Sequence, residues 1–144
     1  MKLSFSTEIG PIVIEEEDGK IVSLLFSSLS FSDNSSLLNR AKEEIEEYLR
    51  GERKTFDLPL NPKGTPFQKR VWEELLTIGY GEKLTYGEIG ERIGSKAYRA
   101  IGNACGQNPI PILIPCHRVV GKNNLGGFSH SIVLKMKLLK LEEN

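Results

Sequence analysis

Residues 108–120 read NPIPILIPCHRVV. Pro109, Pro111 and Pro115 rule out a regular helix through this stretch. After them an apolar run, Ile112 to Ile114, delivers a thiol, an imidazole and a guanidinium in succession at Cys116, His117 and Arg118. A cysteine that only packs has no need of such neighbours. Consecutive side chains in an extended strand point apart, whereas a tight turn lets both face one pocket. Pro115 and the loop from Gly121 favour such a turn. A histidine close by takes the thiol proton directly or through water, and the thiolate is the species that attacks. Arg118 favours the thiolate if its head lies near. The residues alone leave a second reading open, a buried inert cysteine beside a surface histidine.

Working backward, Thr65-Pro66 is a helix start with a cap and a first-turn proline. Phe67, Val71, Trp72, Leu75 and Leu76 give the helix a buried face up to Gly79. Beyond Tyr80-Gly81, LTYGEIGERIG predicts a short helix from Thr85 to Ile93, a tight turn at Gly94-Ser95 and a second helix from Lys96 to Gly106. Two short helices joined so closely, with Lys96 and Arg99 on the second, read as a helix-turn-helix. The first half differs. Leu3 with Phe5, Ile12 with Ile14, and Ile21 to Phe26 read as three short antiparallel strands, separated by IGP and EDGK turns. A Ser-rich loop over 27–36 follows. Ser36 is placed as the cap of a helix from Leu37 to Arg50, which Gly51 ends. Residues 52–63 read as a linker, with room for a strand at its start. The fold class is α+β: a small antiparallel-sheet and helix domain over 1–57, then a mainly helical domain over 58–144. Nothing in the first domain offers a catalyst, so it reads as scaffold.

Composition narrows the function. The chain has 144 residues, 39% hydrophobic and 26% charged, which fits a globular protein. It has no run of apolar residues long enough to span a bilayer and no signal-peptide core, so no membrane is expected. Two cysteines, Cys105 and Cys116, do not make a disulfide scaffold, and a reducing cytoplasm is the expected compartment. The only histidines are His117 and His130, and residues 1–104 hold neither Cys nor His, so no metal is expected. A formal net charge of zero hides an asymmetry: residues 1–61 carry 7 Lys/Arg and 12 Asp/Glu, while residues 62–144 carry 12 and 7. From Arg92 to Leu141 there are eight basic residues and no acidic one. That stretch is either a solvated face or a phosphate-binding one.

The text TPFQKRVWEEL, YGEKLTYGEIG, RAIGNACGQNPIPILIPCHRVVG, LGGFS and LLKLE resembles the O6-alkylguanine-DNA alkyltransferase family, closely over about the last 80 residues and loosely over the rest. The resemblance implies direct-reversal DNA repair in a single turnover without a cofactor. Cys116 is then the alkyl acceptor, His117 the group that activates it through a water, and Glu142 the acid that orients the imidazole. Tyr86 donates toward guanine N3, and Asn108 braces the active-site turn. The Val119 carbonyl accepts from the guanine amine, the loop at Ser129 offers a backbone N–H to O6, and Phe128 stands where a tyrosine is common, as an apolar wall. Arg99 enters the stack position vacated by a flipped base. Lys96, Ala97, Tyr98 and Gly102 belong to the DNA-facing helix, Tyr98 replacing a small residue. His130 and Ser131 replace two glycines of the family pattern. The implied partner is double-stranded DNA carrying O6-alkylguanine, met by a monomer. The alternative is a non-enzymatic lesion-binding or regulatory protein, which would leave PCHR and Glu142 without a role.

Overall fold

The computed structural model describes residues 1–128 and 130–143. The chain divides into two compact units, Met1–Lys63 and Gly64–Asn144. In the first, strands β1 (Lys2–Thr7), β2 (Gly10–Glu17) and β3 (Lys20–Phe26) form an antiparallel sheet with β2 in the centre. Alternation along β2 sends Ile12 and Ile14 inward, Leu24 of β3 pairs opposite Ile14, and a register shift at Glu15/Glu16 brings Ile21 to the same side. Helix α1 (Ser36–Leu49) covers them with Leu38, Ala41, Ile45 and Tyr48. Its cap is Ser35 rather than Ser36. The Ser35 hydroxyl accepts from the Leu38 N–H and donates to Glu16 on β2, so a sheet partner settles which of two adjacent serines serves. No strand forms over 52–57. Further on, Ile21 N–H donates to the Pro59 carbonyl and Asn61 N–H to the Ile21 carbonyl, so this part of the linker runs alongside β3.

The second unit is helical. Thr65 caps α2 (Pro66–Leu75) in a reciprocal capping box with Gln68, with Pro66 in the first turn. Leu76 ends the helix, three residues short of Gly79. Thr85 and Glu88 form the same box at the start of α3 (Tyr86–Ile93). Gly94, at φ 69°, closes α3 in the left-handed conformation that glycine adopts without strain. Helix α4 (Tyr98–Gly106) starts two residues later than the pattern predicts. Lys96 and Ala97 lie in the connection, where Ser95 Oγ accepts from the Ala97 N–H and the Tyr98 N–H turns back to the Lys96 carbonyl. A Cβ on Gly90 would lie 2.6 Å from the Ser95 carbonyl oxygen and 2.9 Å from the Tyr98 ring, so only glycine lets α3 and α4 meet this closely. Trp72 of α2, fully buried, fixes the far end of α4 by donating to the Ala104 carbonyl at 2.8 Å. Two elements are invisible in the sequence pattern: β4 (Leu84–Thr85) pairs in parallel with β5 (Val119–Val120), tying the start of α3 to the residues after Cys116. Helix α5 (Ile132–Leu141) closes the chain against the PCHR turn.

Candidate active site

The turn that carries Cys116 is braced by its own backbone. Buried Asn108 donates from Nδ2 to the Ile114 carbonyl at 2.8 Å and accepts at Oδ1 from the Ile110 N–H at 3.0 Å. The Ile114 N–H reaches back to the Ile110 carbonyl, and the Cys116 N–H to that of Ile114. Within this loop Ile112 sits at φ 74°, a region β-branched residues rarely enter, at a cost of about 1–3 kcal/mol. Burial of Ile110, Ile112, Leu113 and Ile114 offsets that strain. Pro115 then leads into a single 3-10 turn, Cys116–Arg118, whose three side chains diverge because such a turn has three residues.

Cys116 faces a cavity of about 150 Å³, lined also by Tyr86, Gly102, Cys105, Gly106, Gly127 and Phe128. Burial pushes its thiol up to about 11, while the Asn108 hydrogen bond and the Lys135 charge pull the other way. The resting acceptor is therefore protonated, and its proton has to leave as transfer proceeds.

His117 is fully buried, with Nε2 2.7 Å from Glu142 Oε2. A carboxylate accepts, so this contact assigns the proton to Nε2 and makes Nδ1 the basic nitrogen. Burial holds the imidazole below its ordinary value of 6.5 against the opposing pull of Glu142, which keeps it neutral and able to act as a base near pH 7. Arg118 does not turn to the thiol. It grips Glu142 through Nε at 2.8 Å and Nη2 at 3.0 Å, and donates from Nη1 to the Ile78 carbonyl at 2.6 Å. The Gly81 N–H adds a bond to Glu142 at 3.2 Å. Glu142, the C-cap of α5, is thus no solvated helix end but the hub of a buried network.

Tyr86 opens α3, and its hydroxyl lies against the Gly126–Gly127 loop, where a Cβ on Gly126 would come within 2.9 Å of it. Burial first, and then the neighbouring Cys105 thiol, which resists a second negative charge beside it, hold the phenol above its ordinary range, so it remains a proton donor. Phe128 forms the apolar wall and meets His130 edge-on at 5.3 Å. Ser129 lies outside the described residues.

Lys135 is the functional residue that the sequence reading missed. It has no exposed surface, and its Nζ donates to the Val119 carbonyl at 2.6 Å and the Gly127 carbonyl at 2.9 Å. The ammonium thereby pins the strand after Cys116 to the loop on the other side of the cavity. Val119 is buried, and its carbonyl keeps a second lone pair beyond the one given to Lys135. On α4, Ile101, Ala104 and Cys105 point inward, while Arg99 and Gly102 lie on another face with Gly106. Gly102 and Gly106 line the cavity, so Arg99 stands one turn from its rim. Lys96, Ala97, Tyr98 and Arg99 are all exposed. Tyr98 is 48% exposed, with its ring edge over Gly90.

A buried thiol in a braced turn, a histidine held by a carboxylate beside it, and a helix-turn-helix leading into the same cavity define a cysteine acceptor joined to a nucleic-acid-binding element. Comparison with known proteins agrees with this class. The family model "6-O-methylguanine DNA methyltransferase, DNA binding domain" matches residues 66–144, and "6-O-methylguanine DNA methyltransferase, ribonuclease-like domain" matches residues 2–62. The constitutive methylated-DNA–protein-cysteine methyltransferase of Bacillus subtilis is 43% identical, the match covering 94% of this chain and 91% of that protein. A methylated-DNA–protein-cysteine methyltransferase of Methanosarcina acetivorans is 44% identical over 96% of this chain and 95% of its own. The crystal structure of Mycobacterium tuberculosis OGT in complex with DNA superposes with a TM-score of 0.90 at 37% identity, covering 99% of this chain and 92% of that one. The chain belongs to the 6-O-methylguanine DNA methyltransferase family of DNA-repair methyltransferases.

Proposed function

We propose that this protein repairs O6-alkylguanine in double-stranded DNA by moving the alkyl group irreversibly to Cys116. The observation that carries the reading is the pairing of a cavity-lining thiol with a neutral, carboxylate-held imidazole on the next residue. His117 Nδ1 takes the thiol proton directly or through one water, and Glu142 stabilises the imidazolium that forms. The thiolate displaces guanine at the alkyl carbon. Sulfur is a strong soft nucleophile, and the C–S bond forms as the C–O6 bond breaks. Tyr86 donates toward guanine N3, so the leaving base departs without full anionic charge. The Val119 carbonyl receives the guanine amine, Phe128 walls the base, and Asn108 keeps the turn in place. No residue at the site among the described residues is equipped to cleave a thioether, so one turnover exhausts the protein.

Cys116 is only 6% exposed, and a stacked base does not reach it. The lesion has to leave the duplex. The α3–α4 pair docks the DNA, the small face at Gly102 permits close approach, and Arg99 fills the vacated stack position. Lys96, Ala97 and Tyr98 meet the backbone at the start of α4. The first unit serves as scaffold. No helix among the described residues is long and apolar enough to cross a membrane. The protein works as a monomer in the reducing cytoplasm, where both thiols stay free.

Incubation with an excess of O6-methylguanine duplex, followed by peptide mass spectrometry, tests this. One methyl group on Cys116 and no further turnover is the expected result. Repeated turnover, methylation of Cys105 instead, or tight lesion binding with no adduct overturns it.

A further inference from the structure

The cavity carries two thiols, and the transfer of one alkyl group uses only one of them. Cys105 reaches the cavity wall from α4 and Cys116 from the 3-10 turn, and both are reduced. They are close enough that negative charge on Cys116 raises the Cys105 thiol, which burial already pushes up to about 12. The Lys135 charge favours the ionised form of both thiols. Gly102 and Gly106 bring α4 to the cavity with no side chain, and a Cβ on either would meet nothing within 4 Å. Cys105 has no histidine next to it in the chain, where Cys116 has His117, so it does not compete for the first alkyl group. Toward a strong electrophile generated inside the cavity it needs no base. Its effective concentration there far exceeds that of any thiol in solution.

We propose that Cys105 is a second acceptor for lesions whose alkyl group carries a further leaving group two carbons away, of the O6-(2-haloethyl)guanine class. This rests on Cys116 being the first acceptor. In the first step the Cys116 sulfur bonds to the carbon attached to O6, that C–O bond breaks, the thiol proton goes to His117, and the departing guanine takes a proton at N3 from Tyr86, which solvent restores. The thioether sulfur then displaces the halide internally, giving a three-membered cyclic sulfonium and free halide. The Cys105 sulfur attacks a ring carbon, that carbon's own bond to the Cys116 sulfur breaks and returns its electron pair to that sulfur, and the Cys105 proton goes to water. The product is an ethylene bridge between Cys105 and Cys116. No oxidant or reductant takes part.

Two parallel incubations test this on the intact protein, one with O6-methylguanine duplex and one with O6-(2-chloroethyl)guanine duplex. Thiols are counted after denaturation, and adducts are mapped by peptide mass spectrometry. The methyl lesion should consume one of the two thiols and the chloroethyl lesion both, with a cross-linked peptide pair holding Cys105 and Cys116. Cys105→Ser should change the second product to a hydroxyethyl thioether on Cys116 alone. If wild-type protein gives the hydroxyethyl thioether, or a protein–DNA cross-link with Cys105 still titratable, the second acceptor is refuted. Failure of the methyl lesion to modify Cys116 would instead refute the first acceptor.

Discussion

Each unit buries a glutamate, Glu44 within α1 and Glu142 at the C-cap of α5, and holds it differently. Glu44 on α1 accepts from the Asp57 N–H at 3.0 Å and faces Arg53 at 3.7 Å and Arg40 at 3.9 Å. Those arginine side chains are 30% and 52% exposed, so water shares the charge. Glu142 meets His117 and Arg118 at 2.7 and 2.8 Å, and their side chains are 0% and 8% exposed. The first arrangement fastens a loop to a helix. The second keeps charge dry, where desolvation is offset only while every partner stays in place. Such a network is a poor stabiliser compared with apolar packing. It is understandable where a proton has to move.

The largest effect expected comes from breaking the dry network. Glu142→Gln keeps the shape and removes the charge, leaving the Arg118 guanidinium buried without its anion. A loss of about 3–5 kcal/mol in urea unfolding is expected, against about 1 kcal/mol or less for Glu44→Gln. Single-turnover transfer should fall for Glu142→Gln and hold for Glu44→Gln. His117→Ala combined with Glu142→Gln should lose less than the two single losses added, because both act on one proton. Equal destabilisation by the two glutamine variants would erase the contrast between the units.

Most of this architecture was legible because its signals are local. Thr65-Pro66 announced a capped helix and LTYGEIGERIG a second short one, the imperfect strand alternation of residues 1–26 marked the sheet, and the PCHR turn located the thiol. What escaped was decided at longer range. Strands β4 and β5 have two residues each, too few for any periodicity to register. Ser35 prevailed over Ser36 through a sheet residue 19 positions away. Whether the Arg118 head lies near the thiol is not decided by sequence proximity, which says nothing of Glu142. Lys135 was hidden among Lys137 and Lys140, three like charges on a helix that is otherwise apolar. A signal for it existed, though. Once Glu142 is placed inward, Lys135, Leu138 and Leu139 fall on the same face at helical spacing, so the lysine has to be buried with them.

Lys135 sharpens the comparison, since the scaffold unit has no lysine among its buried residues. Lys135→Met preserves bulk but removes the two carbonyl bonds and a charge that draws the Cys116 thiol downward. The sign follows directly: losing a nearby cation favours the neutral thiol, so its pKa rises above about 11. Alkylation of Cys116 by iodoacetamide should slow several-fold at fixed pH, and its pH–rate profile should move to higher pH. Lys135→Arg should restore part of the rate by restoring the charge. A slower rate with an unshifted profile, not rescued by arginine, would reduce Lys135 to a packing element no different in kind from those of the first unit.

The smallest effects expected separate opening DNA from holding it, within the α3–α4 pair alone. Arg99 stands one turn above the cavity rim, while Lys96 lies before α4 begins. Arg99→Ala should therefore slow repair of a stacked duplex lesion more than repair of the same lesion in single-stranded DNA, where unstacking costs less. Lys96→Ala removes one exposed cation. It should weaken binding to both substrates evenly and lower the slope of log affinity against log salt by about one unit at most, as expected for a single phosphate contact. Transfer rates at saturating protein would then be unchanged for Lys96→Ala and substrate-dependent for Arg99→Ala. The two measurements are independent, because saturation removes the affinity difference while the salt series isolates it. If Arg99→Ala slows both substrates in equal proportion, the side chain acts as one more phosphate contact. Opening the duplex would then fall to the rest of the α4 face, with Tyr98, exposed and leaning on Gly90, the next residue to replace.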